Sequence, residues 1–97
     1  MKWIEEIKLR TAPHNEAETI RRLQDLVREI DGYKGLMQSR LYSHASIMGD
    51  FVLYLSWNTH FPETQGSPAY LGIKEFLKTL GLVGYSAWIE KDLKNNL

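Results

Sequence analysis

The chain has 97 residues, 43% hydrophobic and 25% charged, which is the composition of one small globular domain. Twelve basic residues balance twelve acidic ones, so the chain lacks the positive surface that attracts nucleic acid or an anionic membrane. Because cysteine is absent, disulfides, thiolate nucleophiles and thiolate metal sites are excluded. The sequence contains neither an apolar run of spanning length nor a signal-peptide h-region, so we expect a cytoplasmic protein.

The first half of the chain predicts a strand, a helix and a second strand. Residues 3–10 alternate between the two sides with a period of two, which is typical of a strand. Asn15, followed three residues later by Glu18, predicts a capped helix start, and apolar residues then recur at helical spacing as far as Ile30. A second strand follows over about 35–42, with Met37 on the same side as Ser39 and Leu41.

The second half repeats this order of elements after a hairpin connection. Residues 51–58 alternate as a third strand. Ser67 suits the N-cap of a second amphipathic helix, and Gly81, with Leu82 behind it, predicts that helix's C-cap and apolar contact. A fourth strand is expected over 84–90, and a frayed tail over 91–97.

The order β-α-β-β-α-β predicts a ferredoxin-like α+β fold. We expect a four-stranded antiparallel sheet with two helices on one face, formed by a single domain over residues 1–97. The first and third strands are expected to be central, and to run parallel to each other.

Alternation divides this sheet into a helix-facing side and an open side. The open side mixes aromatic, aliphatic and charged groups, a composition typical of a partly wet interface. We therefore predict a homodimer in which two sheets close face to face into a barrel, the alternative being a monomer with a solvated face. The residues expected at the interface are Glu6, Lys8, Arg40, Tyr42, Tyr54, Ser56 and Trp88.

The chain resembles the dimeric α+β barrel superfamily, specifically its antibiotic biosynthesis monooxygenase-like group. The element order carries this resemblance, together with Leu-Ser-Trp at 55–57, Lys-Glu-Phe-Leu at 74–77 and Gly-Leu-Val at 81–83. The group includes cofactor-independent monooxygenases of aromatic polyketides, haem-degrading monooxygenases and small proteins without an assigned role.

The haem-degrading pattern fits this chain poorly. That pattern places an Asn on the first strand, a Trp near the end of the third and a haem-ligating His on the second helix. Trp57 fits, but Ile7 stands at the first-strand position and the second helix has no His. We therefore expect neither haem nor any other cofactor.

The resemblance to the cofactor-independent oxygenases implies a pocket between the sheet and the helices, in which a phenolic substrate is deprotonated and passed to oxygen. Glu5 and His60 are the candidate bases. Trp57 could form one wall, although a tryptophan there also serves simply to fill the core. The lining expected for a small aromatic ligand is Trp57, Ile7, Tyr70 and Ile73. The alternative function is a non-catalytic ligand-binding or stress-responsive dimer.

The histidines suggest a second, weaker hypothesis. If the first and third strands were parallel, His14 and His60 would lie at the same end of the sheet, near Glu16 and Glu63, with His44 at the opposite end. Such groups could form an acid–base or metal site. Because none has tight ligand spacing and loop histidines are commonly just solvated, we expect no metal site.

Overall fold

A four-stranded sheet and two helices make up most of the chain in a computed structural model, which describes residues 1–93. The end of the predicted tail, residues 94–97, lies outside the described residues. A short 3₁₀ turn, Pro13–Asn15, precedes the first helix. The main elements are β1 (Lys2–Thr11), α1 (Glu16–Ile30), β2 (Leu36–Ser43), β3 (Asp50–Asn58), α2 (Pro68–Leu80) and β4 (Gly81–Ile89).

The strand order β2-β3-β1-β4 confirms the ferredoxin-like α+β architecture, with β1 and β3 in the centre. The expectation that these two strands are parallel is wrong, because every neighbouring pair in the sheet is antiparallel. The crossover through α1 makes β2 parallel to β1, and the hairpin then returns β3 between them in the opposite direction.

The predicted alternation of side chains on the two central strands is confirmed. Every second residue of β1 and β3 is buried on the side of the helices, while the residues between them are partly or fully exposed. The core that results contains Trp3, Ile7, Leu9, Leu23, Leu26, Ile30, Phe51, Leu53, Leu55, Trp57, Ala69, Tyr70, Ile73 and Leu77.

The edge strand β2 departs from simple alternation. Leu36 pairs with Trp57 while Gln38 pairs with Ser56, so one extra residue bulges out between the two pairs. That residue is Met37, which is 59% exposed. The expectation that Met37 lies on the same side as Leu41 is therefore wrong.

The two helices begin differently. Ser67 caps α2 as predicted, since its Oγ accepts a hydrogen bond from the backbone N–H of Tyr70 at 3.0 Å. Asn15 precedes α1 but its side chain makes no capping hydrogen bond. Glu18 is not a capping-box partner either, because its carboxylate binds Arg21 and another arginine one residue further along.

The boundary between α2 and β4 also differs from the prediction. The fourth strand begins at Gly81, three residues earlier than expected, and the Gly81 φ of 171° is extended backbone. Leu82 is 75% exposed and does not form the predicted apolar contact. Glycine is needed at 81 because a Cβ there would collide with the carbonyl of Arg10 on β1.

No helix within residues 1–93 is long and apolar enough to cross a membrane.

Two glycine-to-alanine substitutions should change stability in opposite directions. Gly72→Ala should raise the free energy of unfolding by about 1 kcal/mol, because Gly72 lies inside α2 with nothing nearer to its Cβ position than the Tyr33 hydroxyl at 3.6 Å. Gly81→Ala should lower it by about 1–3 kcal/mol through the collision with β1. Urea unfolding measures both values, and equal stability of the two variants would contradict this account of α2 and β4.

Candidate functional site

The carboxylate of Glu5 lies in the core, at the start of α2, and is fully buried. Its Oε1 accepts hydrogen bonds from Trp57 Nε1 at 2.8 Å and from Ser67 Oγ at 2.6 Å. Its Oε2 accepts from the backbone N–H of Ser67 at 2.8 Å and from the Tyr85 hydroxyl at 2.5 Å. Four donors from three residues therefore converge on one buried acceptor.

The local sequence explains how this cluster assembles. Alternation along β1 turns Glu5 toward the helices, and the antiparallel register places it between Leu55 of β3 and Ala87 of β4. Ser67 links the carboxylate to α2, because its hydroxyl donates to Glu5 and accepts from Tyr70 in the first turn. The N-cap of the helix is thus also a ligand of the carboxylate.

The charge of Glu5 is compensated by dipoles. None of the ion pairs within the described part of the chain includes Glu5. Burying a charge is costly unless hydrogen bonds compensate it. Here the four donors and the positive end of the α2 dipole supply that compensation, two of the donors coming from the N-cap residue itself.

Tyr85 is the most accessible member of the cluster, lying half-buried at the sheet edge. Its ring stacks on that of Tyr70 with a centroid separation of 4.3 Å. Burial, followed by the hydrogen bond to Glu5, raises the pKa of Tyr85 far above the ordinary tyrosine value. Its hydroxyl also lies 3.3 Å from the carbonyl oxygen of Glu63 in the loop before α2. Tyr85 is therefore a persistent proton donor between the carboxylate and this loop.

Two tryptophans connect the cluster to the same loop. Trp3 and Trp57 stack with a centroid separation of 5.8 Å and an interplanar angle of 19°. Trp57 donates its indole N–H to Glu5, whereas Trp3 donates to Thr59 Oγ1 at 2.8 Å. The Trp57 indole thus ties the end of β3 to Glu5, and the Trp3 indole ties β1 to the start of the loop.

The residues predicted to line the pocket are neighbours in the buried core. Trp57, Ile7, Tyr70 and Ile73 are each no more than 4% exposed. Glu5, one of the two predicted bases, is joined directly to Trp57. The other, His60, is exposed, and none of the hydrogen bonds that reach Glu5 comes from it. A ligand pocket between these core residues stays a prediction.

The predicted placement of the histidines is wrong. His60 follows β3 and His14 follows β1, and because these strands are antiparallel the two histidines lie beyond opposite ends of the sheet. His44 instead shares an end with His14, since β2 runs parallel to β1. Within residues 1–93, no group of three or more ligating side chains could hold a metal ion.

The open side of the sheet carries all seven residues predicted for the interface. At its centre the Tyr54 hydroxyl donates to Glu6 Oε2 at 2.9 Å, and this hydrogen bond raises the pKa of Tyr54. Tyr42 packs edge-on against Tyr54 with a centroid separation of 5.8 Å. Tyr42 and Trp88 are both exposed. The register places the set on one face: Glu6, Lys8, Arg40, Tyr42, Tyr54, Ser56 and Trp88.

Sequence reasoning did not single out two members of the cluster. Ser67 was identified only as an N-cap. Its hydroxyl can also donate a hydrogen bond to a neighbouring carboxylate, here Glu5, while the same oxygen accepts the capping hydrogen bond from Tyr70 N–H. Tyr85 falls on the helix-facing side by the alternation of β4. Its contact with Glu5 depends on the pairing of β4 with β1, which alternation alone does not determine.

Comparisons with solved structures show the fold. A Mycobacterium tuberculosis protein is 19% identical, with 95% of this chain and 97% of that chain covered and a TM-score of 0.72. A "putative antibiotic biosynthesis monooxygenase" from Deinococcus radiodurans is 15% identical, covers 93% of both chains and has a TM-score of 0.73. SnoaB, a cofactor-independent oxygenase from Streptomyces nogalater, is 14% identical, with 94% of this chain and 92% of that chain covered and a TM-score of 0.62.

No protein-family model matches the chain, and a comparison with curated proteins gives no match. The solved structures nevertheless confirm the resemblance to the antibiotic biosynthesis monooxygenase-like group at the level of the fold. This chain shares that fold with them over more than nine-tenths of its length.

The raised pKa of Tyr85 should make stability depend on alkaline pH. Above pH 10, the ordinary tyrosine pKa, the unfolded chain releases the Tyr85 proton while the folded protein retains it, so stability falls as pH rises. Tyr85→Phe should reduce this slope by up to about 1.4 kcal/mol per pH unit. Urea unfolding between about pH 8 and 11 measures the slope, with Tyr33→Phe as the exposed control. An unchanged slope in Tyr85→Phe would show that its hydroxyl ionises normally.

Proposed function

We propose that this protein is a homodimeric, cofactor-independent oxygenase of small aromatic compounds. The buried carboxylate of Glu5, held between Trp57 and Tyr85, is the observation that supports the proposal most strongly. The fold is shared with SnoaB, which is a cofactor-independent oxygenase. We also propose a cytoplasmic location, which stays a prediction from the sequence.

Glu5 is the proposed base, and Tyr85 is the donor that a substrate would replace. Trp57 and Ser67 donate to Glu5 from fully enclosed positions, whereas Tyr85 lies half-buried beside the loop before α2. A phenolic hydroxyl entering beneath that loop could take the place of the Tyr85 hydroxyl on Oε2. Its ring would then lie against Trp57, where stacking between aromatic rings adds to apolar burial.

The reaction needs only a base, dioxygen and a substrate ring that forms a stabilised anion. Glu5 accepts the substrate proton, and the anion transfers electrons to dioxygen, forming a carbon–oxygen bond in a ring hydroperoxide. The attacked ring carbon, which carries one hydrogen in the phenol, then loses that hydrogen as a proton while the O–O bond breaks, and it becomes a carbonyl as water leaves. One oxygen atom stays in the product, the other leaves in water, and the substrate supplies all the electrons. Glu5 returns its proton to the leaving oxygen.

Non-catalytic ligand binding is the alternative, and the saturation of Glu5 favours it. All four hydrogen bonds to this carboxylate come from the protein, and the side chain has no exposed surface. A carboxylate in this state is suited to holding α2, β3 and β4 together. The two functions differ in whether a bound aromatic compound is consumed.

Oxygen uptake should distinguish the two functions. We expect the protein to consume oxygen with fused-ring phenols, without added metal, flavin or haem, and Glu5→Gln to lower the rate per folded molecule at least about 100-fold by removing the base. Glu29→Gln, an exposed substitution on α1, is the matched control and should retain full activity. An oxygen electrode measures the rate. Saturable binding without oxygen uptake would support the non-catalytic alternative.

The proposed dimer follows from the open side of the sheet. This face combines exposed aromatic side chains with the partly buried Tyr54–Glu6 hydrogen bond, as is typical of protein interfaces. Packing two such faces together would bury Tyr42 and Trp88 and remove an exposed apolar area from water.

Tyr54→Asp should convert the proposed dimer to a monomer. The new carboxylate would lie beside Glu6 and be buried in the interface without a counter-ion, and Glu6 would lose the hydrogen bond that the Tyr54 hydroxyl donates. Sedimentation equilibrium should give about twice the 11.3 kDa chain mass for the parent protein and one chain mass for this variant. Tyr33→Asp, outside the face, is the control. A monomeric parent protein at micromolar concentration would refute the dimer.

A further inference from the structure

A small cavity of about 220 Å³ lies on the helix side of the sheet, between the start of α1 and the end of α2. This volume is below the roughly 300–1,000 Å³ of sites for drug-sized molecules, so only a small ligand fits. None of the residues predicted for the interface lines the cavity, so the proposed dimer leaves it open. The cavity is also separate from the Glu5 cluster, which lies at the opposite end of α2.

The lining of the cavity includes a buried hydroxyl without a partner. Thr19 is only 5% exposed, and its Oγ1 makes no hydrogen bond within residues 1–93. Among the described residues, Ser39 Oγ is the only completely sealed side-chain oxygen or nitrogen that lacks a partner. The Thr19 hydroxyl is therefore not sealed, and the little surface that it retains opens to the cavity that Thr19 lines. Because buried polar groups are nearly always hydrogen-bonded, this hydroxyl points to a polar ligand.

Two further side chains of α1 bring unused hydrogen-bonding groups to the cavity. Arg22 binds Glu18 Oε1 through Nε at 3.0 Å, and its two terminal nitrogens take no part in that bond. Paired N–H groups of a guanidinium match the two oxygens of a carboxylate. Asn15 makes no capping hydrogen bond, so its carboxamide can donate and accept.

Opposite electrostatic ends of the two helices meet at this cavity. α1 begins here with the positive end of its dipole, and Arg22 adds a cation. α2 ends here with the negative end of its dipole, where the carbonyls of Lys78 and Thr79 accept no further backbone hydrogen bond from a described residue. Glu18 adds an anion on the same lining. A ligand of single charge would meet one of these groups with the wrong sign, whereas a ligand with both charges matches both.

We propose that this cavity binds a small zwitterionic amino acid. Its carboxylate would accept hydrogen bonds from the terminal nitrogens of Arg22 and from the Thr19 hydroxyl. Its ammonium group would lie beside the Asn15 carboxamide oxygen and the last turn of α2. The amino acid side chain would contact Ala12 and Leu80, which form the apolar part of the lining.

Titration of the intact chain with L-alanine, followed by amide NMR shifts, tests the site. We expect saturable shifts in residues 14–19 and 79–81, with a dissociation constant of about 1–10 mM because the cavity is small and the Arg22 side chain is half-exposed. L-alaninamide, which lacks the carboxylate, and propionate, which lacks the ammonium group, should each bind at least about tenfold more weakly. Failure of L-alanine to saturate below about 50 mM would overturn the proposal, as would equal binding of either analogue.

Two substitutions of Thr19 isolate the contribution of its hydroxyl. Thr19→Val removes the hydroxyl and should weaken L-alanine binding about three- to tenfold, whereas Thr19→Ser retains it and should bind within about twofold of the parent protein. Because the hydroxyl has no partner in the protein, Thr19→Val should not lower the free energy of unfolding measured in urea. Equal weakening by both variants would assign the effect to packing and overturn the proposed contact.

Two arginine variants of α1 locate the charge that is recognised. Arg22→Gln should weaken L-alanine binding at least about fivefold, while Glu18 retains its hydrogen bonds from Arg21. Arg28→Gln is the matched control, because Arg28 is exposed, pairs with Asp25 and lies outside the cavity, and it should leave binding unchanged. Equal weakening by both variants would show a nonspecific charge effect and overturn the site. Shifts confined to residues 59–67 would place L-alanine near the Glu5 cluster and would likewise overturn it.

Discussion

The buried carboxylate of Glu5 is the constraint on which the arrangement of the other elements depends. Its four donors come from β3, from β4 and from the N-cap of α2, so a single β1 side chain ties together four elements of the fold. Leaving one donor or acceptor of such a cluster unsatisfied costs about 1–3 kcal/mol. Strand register and the start of α2 are therefore linked, since a displacement of either would leave a buried charge without its partners.

Much of the fold could be predicted because alternation is a local signal. In residues 3–10 and 51–58, the alternation of residue types along the sequence identifies which side of each strand is buried. Ser67 is a favourable N-cap residue and is followed by a proline, which together mark the start of α2. The relative direction of β1 and β3 is not local, because it depends on the route of the chain between them. The prediction that these strands are parallel is therefore wrong. The hypothesis that placed His14 and His60 at the same end of the sheet depended on it and is wrong for the same reason.

The candidate site shows the same division between local and non-local information. Glu5 and Trp57 could each be identified as unusual residues on a buried strand face, and the structure joins them by a hydrogen bond of 2.8 Å. His60 was selected only for its position after β3, and an exposed loop side chain has no packing to direct it toward the core. Tyr85 went unrecognised because its meeting with Glu5, 80 residues away, is set by the β1–β4 register.

Adjacent residues of β1 show how strongly the pleat separates chemical environments. Glu5 is enclosed by four donors, whereas Glu6 points to the open side, where it accepts one hydrogen bond from Tyr54 and lies 4.0 Å from Lys8. A shift of one residue in register would exchange the two carboxylates and place Lys8 in the core. Core packing, the buried carboxylate and the charged open face therefore depend on the same register, which the hydrogen bonds of Glu5 help to hold.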